Sequence, residues 1–198
     1  MGSKWVYDNA VMSGHNKWAQ IKHKKQSTDA AKSRVFARYA RLIALESKKV
    51  GGSLSTPGLA SVIARAKAMN MPKDNIDRAV AKGASKDAGD MEQVVYEAYG
   101  PGGVAVVIDA LTDNKNRTTQ EIKHLLSRNG VELSTPGAAS WAFTRQPDGG
   151  YVPNEPLMDL SETDEDRLGI ILEALDEHED VQRAFTNARG YEKVSDYG

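Results

Sequence analysis

Lysine and arginine crowd the stretch Ser13-Gly14-His15-Asn16-Lys17-Trp18-Ala19-Gln20-Ile21-Lys22-His23-Lys24-Lys25 and the segment it opens. From Met12 to Val50, ten cations (Lys17, Lys22, Lys24, Lys25, Lys32, Arg34, Arg38, Arg41, Lys48, Lys49) stand against Asp29 and Glu46, 10 minus 2 or +8, in a chain of formal net charge −1. Such side chains hold phosphates by charge-assisted hydrogen bonds, and an indole among them offers a face on which a base stacks. Trp18 is that indole, and it would serve equally as the core anchor of the arm. His23 belongs to the same run. The chemistry on offer is nucleic-acid binding.

A second polar group, Asp113-Asn114-Lys115-Asn116-Arg117-Thr118, enters a helix N-terminus. Free amides there, with Lys115, Asn116 and Arg117, could hold a phosphate; capping alone explains the same residues equally well. Other chemistries are poorly represented. With zero cysteines the chain has no disulfide, thiolate zinc site or cysteine nucleophile. It contains no Gly-x-Ser-x-Gly, and Gly100-Pro101-Gly102-Gly103 lacks the Lys-Ser/Thr of a phosphate-binding loop. The four histidines show no i, i+4 pairing, and Asp164 to Asp166 read as helix-start acids rather than a cation site. The expectation is a non-enzymatic protein without metal or cofactor.

The elements that must position these groups follow from hydrophobic period. Residues 1–11 read as a disordered leader, with no signal peptide and no membrane span, which makes the cytoplasm the expected location. Residues 12–84 form a basic helical domain. Ser27 or Thr28 caps a first helix with apolar Val35, Tyr39, Leu42, Ile43 and Leu45, stopped by Gly51-Gly52; Arg34, Arg38 and Arg41 share one face as a phosphate rail. A second helix runs from Leu59 to Met69, and a third from Pro72 to Lys82 with Gly83 at its end.

From Met91 the period changes to 2. Strands are expected over 92–99 and 104–111, a helix capped by Asn116 or Thr118 with a capping box at Thr118 to Glu121, an alternating strand at Ala139, Trp141 and Phe143, and an edge strand at 151–153. A helix capped by Thr163, a strand over 181–186 and a polar tail from Ala188 complete the chain. The fold class is therefore α/β: a three-helix domain, then over 91–188 a ferredoxin-like sandwich of two helices on one face of an antiparallel sheet, with strand 92–99 as an extra. Charge falls along the chain, from +8 to 4 minus 13, or −9, over 151–198. Such a dipolar chain can turn its basic end toward a polyanion.

Residues 13–25, Tyr96-Glu97-Ala98-Tyr99-Gly100-Pro101-Gly102-Gly103 and Asp113-Asn114-Lys115-Asn116-Arg117-Thr118 together resemble the signature motifs of the YebC family, in order and in register, over roughly Met12 to Ala188. The resemblance implies a helical N-terminal domain followed by ferredoxin-like modules, in a cytoplasmic or mitochondrial factor acting on gene expression. Members are described as DNA-binding transcriptional regulators, as mitochondrial translational activators and as ribosome-associated factors; none is known as an enzyme. The family's inserted domain, expected between the strands at 139–144 and 151–153, is missing at 145–150. The expected partner is ribosomal RNA on the ribosome, with promoter DNA as the alternative. A third reading makes the ferredoxin-like domain a protein-interaction module.

Overall fold

A computed structural model of the chain describes residues 29–53, 56–85, 90–147 and 149–191. The leader, Lys17, Trp18, Lys22, His23, Lys24, Lys25 and the cap at Ser27 or Thr28 lie outside the described residues. Among the described residues, no helix is long and apolar enough to cross a membrane.

Three helices come first: α1 (Asp29–Lys49), α2 (Pro57–Ala68) and α3 (Lys73–Ala84). Their three-to-four-residue spacing brings Tyr39 and Ile43, Leu59, Val62 and Ala66, and Ile76 and Ala79 into one core with Met71. α2 closes through Asn70, which takes a left-handed φ of 60° while the Met71 amide donates to the Ala66 carbonyl at 3.0 Å. Pro72 sits at the N-cap of α3, one place before the position expected for it.

Gly83 does not end α3 but lies inside it, because the helix needs a bare Cα there. An added Cβ would stand 2.2 Å from the Ala44 carbonyl oxygen and 2.7 Å from Ser47 Cβ. The same contact lets the Ser47 hydroxyl donate to the Val80 carbonyl at 2.7 Å. α1 and α3 are thus pressed together at backbone distance.

The remaining elements are β1 (Glu92–Tyr99), β2 (Ala105–Thr112), α4 (Lys115–Arg128), β3 (Phe143–Arg145), β4 (Tyr151–Pro153), α5 (Glu162–Glu177) and β5 (Val181–Thr186). The main sheet is antiparallel in the order β1-β2-β5. Val94, Tyr96, Val106, Ile108 and Val181 meet Ile122 and Leu126 of α4 and Leu168, Ile171 and Leu175 of α5. Two helices on one face of an antiparallel sheet are therefore present, as expected. Two details differ. β1 is no mere extra, since it pairs with β2 from Glu92↔Thr112 to Tyr99↔Ala105. β3 and β4 leave the sheet as a separate two-stranded hairpin. That hairpin and its approach cover the second sheet face, where Ala105, Val107 and Phe185 meet Ala139, Ala142 and Phe143. Coverage on both faces explains why β2 is buried at all eight positions.

Local chemistry moves several boundaries. Residues 140–142 form a 3-10 turn, so the strand expected to contain Ala139 and Trp141 starts only at Phe143, and Trp141 is 68% exposed. α4 is capped by Asn114, whose Oδ1 accepts the Arg117 amide at 3.1 Å, and not by Asn116 or Thr118. Thr118 forms no capping box, because its buried hydroxyl bonds Thr112 Oγ1 and Asp180 Oδ2. Ser161, not Thr163, caps α5: its Oγ accepts the Asp164 amide and bonds the Asp164 carboxylate at 2.8 Å. Ala188 and Tyr191 are buried in the main core, so the packed chain continues past the expected start of the tail.

Asp180 ties the helices to the sheet. Its side chain is 2% exposed, and Oδ2 accepts from Thr118 Oγ1 and Arg117 Nη2, both at 2.7 Å, while Oδ1 lies 3.3 Å from Arg41 Nη1. Arg41 also pairs with Glu179 at 3.1 Å, and Arg38, itself buried, pairs with Asp176 at 3.0 Å. Burial raises the Asp180 pKa, but hydrogen bonds from Thr118 and Arg117 and the charges of Arg41 and Arg117 outweigh it and hold the carboxyl below the usual aspartate range.

Two outcomes follow from these contacts. Gly83→Ala will destabilise the protein in urea unfolding by about 1–3 kcal/mol, although alanine is the better helix former by about 1 kcal/mol, because the Cβ meets unyielding backbone. Asp180→Asn will cost about 3 kcal/mol by leaving two arginines facing a neutral group. Since the folded carboxyl has the lower pKa, the wild-type contribution is complete above the unfolded value of about 4 and is lost as pH falls through the folded one. Unfolding of the Asn variant will therefore be flatter below pH of about 4 than that of wild type.

Candidate nucleic-acid interface

The phosphate rail expected along α1 is not free. Arg38 and Arg41 share a face with Arg34 by helical spacing, but that face meets the acidic corner between α5 and β5, and Asp176, Glu179 and Asp180 take both guanidinium groups. Arg117 is drawn to the same corner and also pairs with Asp113 at 3.3 Å and Glu121 at 3.8 Å. Of the residues proposed from sequence, Lys32, Lys115 and Asn116 are exposed and Arg34 is half-buried. The structure brings Arg38, Arg41 and Arg117, the last of them exposed, together as one ion-paired cluster and leaves Lys32 and Arg34 on α1 apart from Lys115 and Asn116 at the start of α4.

A different basic surface takes shape between α1 and α3. A groove of about 560 Å³ there is lined by Lys48, Arg78 and Lys82 together with one side of Arg41, over a floor of Ala40, Ala44 and Met71. The close contact at Gly83 sets its depth. Lys82 makes no ion pair with any described residue, while Lys48 pairs with Asp90 and Arg78 hydrogen-bonds Asn75 and the Asp74 carbonyl. Arg78 and Lys82 are one turn apart on α3, with exposed side chains. Both lie outside the Met12 to Val50 block in which the sequence concentrates its positive charge.

Glu97, inside the Tyr96 to Gly103 motif, was assigned no role from sequence. Its buried carboxylate accepts three backbone amides, from Gly137 at 2.9 Å, Ala139 at 2.6 Å and Ser140 at 2.8 Å. Burial raises its pKa, and these donors more than reverse that, leaving it below the usual glutamate range. The carboxylate thereby fixes the turn that presents Trp141. The indole N–H lies 3.0 Å from the Tyr99 hydroxyl and 2.9 Å from the Ala138 carbonyl, leaving the ring faces in solvent beside Tyr99. A lone acid in an apolar strand was the available signal, but its partners are 40 to 43 residues away.

Among the described residues, Glu121, His178 and Asp180 form the group closest to a metal-binding arrangement. Both His178 ring nitrogens are engaged: Nδ1 accepts the Asp180 amide at 3.2 Å and Nε2 stands 3.2 Å from Glu121 Oε2. Asp180 in turn is committed to Thr118 and the arginines. The cluster is accounted for by these internal contacts.

Comparison with known proteins places this geometry in a lineage. Residues 16–86 match the model described as the TACO1/YebC protein N-terminal domain, and residues 91–147 match that of the TACO1/YebC second and third domain. A "Probable transcriptional regulatory protein" of Thermotoga petrophila is 47% identical over 155 residues, 76% of this chain and 60% of the relative. One of the same name from Pseudothermotoga lettingae is 42% identical over 180 residues, 89% of this chain and 70% of the relative. The chain spans 54 to 60% of the length of the Thermotoga relatives. The crystal structure of a conserved hypothetical protein from Aquifex aeolicus superposes with a TM-score of 0.75 at 29% identity, covering 87% of this chain and 96% of that one. The shared motifs, the helical domain preceding the sandwich and these matches lead to one conclusion: the chain belongs to the TACO1/YebC family.

Proposed function

We propose that the protein is a non-enzymatic, nucleic-acid-binding regulator of gene expression that works as a translation factor on ribosomal RNA. The observation that carries this reading is the segregation of charge, with +8 over residues 12–50 against −9 over 151–198. The acidic end occupies Arg38, Arg41 and Arg117, so the gripping role falls to the arm (Lys17, Trp18, Lys22, His23, Lys24, Lys25), to Lys32 and Arg34, and to Lys48, Arg78 and Lys82 in the α1–α3 groove. These are mostly lysines, point charges that hold phosphate without reading sequence. Irregular RNA offers such a surface clustered phosphates and unstacked bases for the exposed Trp141 and for Trp18. Residues 12–84 act as the binding domain and 91–188 as the platform that orients it.

The names of the relatives favour a second reading, a DNA-binding transcriptional regulator. It requires base-edge contacts in the major groove, and the exposed cations of α1 and α3 are not accompanied by an array of Asn, Gln and Arg on one helix face.

Sedimentation with purified ribosomes, with excess duplex DNA in a parallel sample, separates the two. Co-sedimentation that resists DNA is the expected result; displacement by DNA, with a promoter preference that survives competitor, would favour the transcriptional reading. Replacing Lys22, Lys24 and Lys25 together by Ala will weaken binding and lower the slope of log K against log salt by about 2, since each phosphate contact on single-stranded nucleic acid contributes about 0.7. Arg38→Met will leave that slope unchanged, because Arg38 is engaged with Asp176.

A further inference from the structure

α4 turns Thr118, Ile122 and Leu126 into the sandwich, where all three are buried. Helical spacing sets the opposite face. Asn116, Gln120, Lys123 and Ser127 stand there at i, i+4, i+7 and i+11, and all four are exposed. They form one stripe along a helix of 14 residues, about 21 Å long. Lys115 and Arg128, also exposed, flank the stripe at its two ends.

Two features separate this surface from an ordinary solvated helix face. Such faces interleave acids and bases, whose i, i+4 pairs stabilise them. Here Lys115, Lys123 and Arg128 have no acid three or four residues away within the helix. The one acid of α4, Glu121, is turned instead toward Arg117 and His178. In addition, the side chains of Lys115, Asn116, Gln120, Lys123, Ser127 and Arg128 make no hydrogen bond or ion pair with any described residue. Their donors and acceptors all point to solvent.

Side chains of these types recognise bases. A carboxamide carries donor and acceptor on one planar group and pairs bidentately with adenine, a lysine takes the O6 and N7 edge of guanine, and a serine hydroxyl serves either. Set on successive turns of one helix, they are placed to read successive bases. The neighbourhood then chooses among nucleic acids. α5 packs beside α4 in the same core and carries Glu162, Asp166 and Glu177 exposed on its outward face. Packed helices stand about 8–10 Å apart, and the major groove of duplex DNA is about 12 Å wide, so a groove that enclosed α4 would lay one phosphate wall over those acids. A regular RNA duplex closes its major groove to side chains altogether. A single RNA strand presents splayed base edges with no second wall, and in that form RNA is read by sequence. We infer that the outward stripe of α4 reads the base edges of a single-stranded RNA segment, with Lys115 and Arg128 holding phosphates at its two ends. This rests on the nucleic-acid reading above, whose lysines grip without discriminating, and supplies the element that discriminates.

The test is fluorescence anisotropy of the full chain with labelled single-stranded oligoribonucleotides of A, of C and of U at matched length. A preference of about five-fold or more is expected, strongest for A, because one good bidentate contact discriminates by at least that much. Asn116→Ala combined with Gln120→Ala, at exposed helical positions that suit alanine, should bring the three affinities within about two-fold of one another while leaving the Tm and the slope of log K against log salt unchanged. Lys115→Ala combined with Arg128→Ala should lower that slope by about 1.4 and keep the preference. The proposal is overturned if wild type binds all three within about two-fold, if the Asn116 and Gln120 variant keeps the preference, or if a sequence preference shows only with duplex DNA. Loss of ribosome co-sedimentation with the preference intact would remove the ribosomal assignment and leave this one standing; co-sedimentation without any preference would do the reverse.

Discussion

The position of the helical domain on the sandwich depends on one buried carboxylate. Asp180 receives a guanidinium from α1, a guanidinium and a hydroxyl from α4, and sits where α5 hands the chain to β5. Two unit charges at about 3 Å attract by roughly 5 kcal/mol at an effective dielectric of 20, and much of that is offset by desolvation. What survives is direction. An ion pair with a hydrogen-bonded carboxylate tolerates little rotation of α1, whereas apolar contacts alone would permit several orientations. Arg38 on Asp176, one turn earlier on α1, fixes the second point of attachment.

That constraint also decides which cations can meet solvent. The same three-to-four-residue spacing that puts Arg34, Arg38 and Arg41 on one face of α1 turns the last two toward the acidic corner. The spacing was legible in the sequence; the partner was not, because the acids lie 138 residues further on. The period change at Met91 located β1 correctly at both ends, and β5 likewise, since each is a regular alternation or run closed by turn residues. The alternation of Ala139, Trp141 and Phe143 misled because Glu97 captures three amides of that segment and bends it into a turn, a long-range hydrogen-bonding choice that outweighs local period. Caps failed by two to four residues where several polar side chains competed: Asn114 prevails at α4 because Thr118 is already bound to Asp180. Gly83 read as a terminator because glycine at a helix end and glycine at a helix crossing look the same in one dimension.

The central strand joins these local outcomes to the candidate sites. Because β2 is covered on both faces, the hairpin β3-β4 must leave the sheet to act as a lid over Val107 and Phe185, and α1 is left to cover the other end of that face. Helix and sheet side chains differ in spacing, so a helix laid across a twisted strand pair seals it imperfectly. A cavity of about 450 Å³ beside Tyr39 is that imperfect seal, lined by polar groups because Asp109 and Arg183 occupy the register positions that face it.

The start of β5 carries a β-bulge at Gln182, whose buried carboxamide has no hydrogen-bond partner among the described residues. A regular β5 would carry the apolar alternation through to Val181 without the extra residue, and a leucine at the bulge would remove an unsatisfied amide that costs about 1–3 kcal/mol. That cost is comparable to the gain from a single salt bridge at the Asp180 corner, so the start of β5 gives up about what the residue just before it secures. The ion pairs at Asp180 and Asp176 hold α1 against the sandwich within a few residues of that unsatisfied group. The ion-paired corner and the irregular start of β5 are thus two consequences of the same attachment of α1.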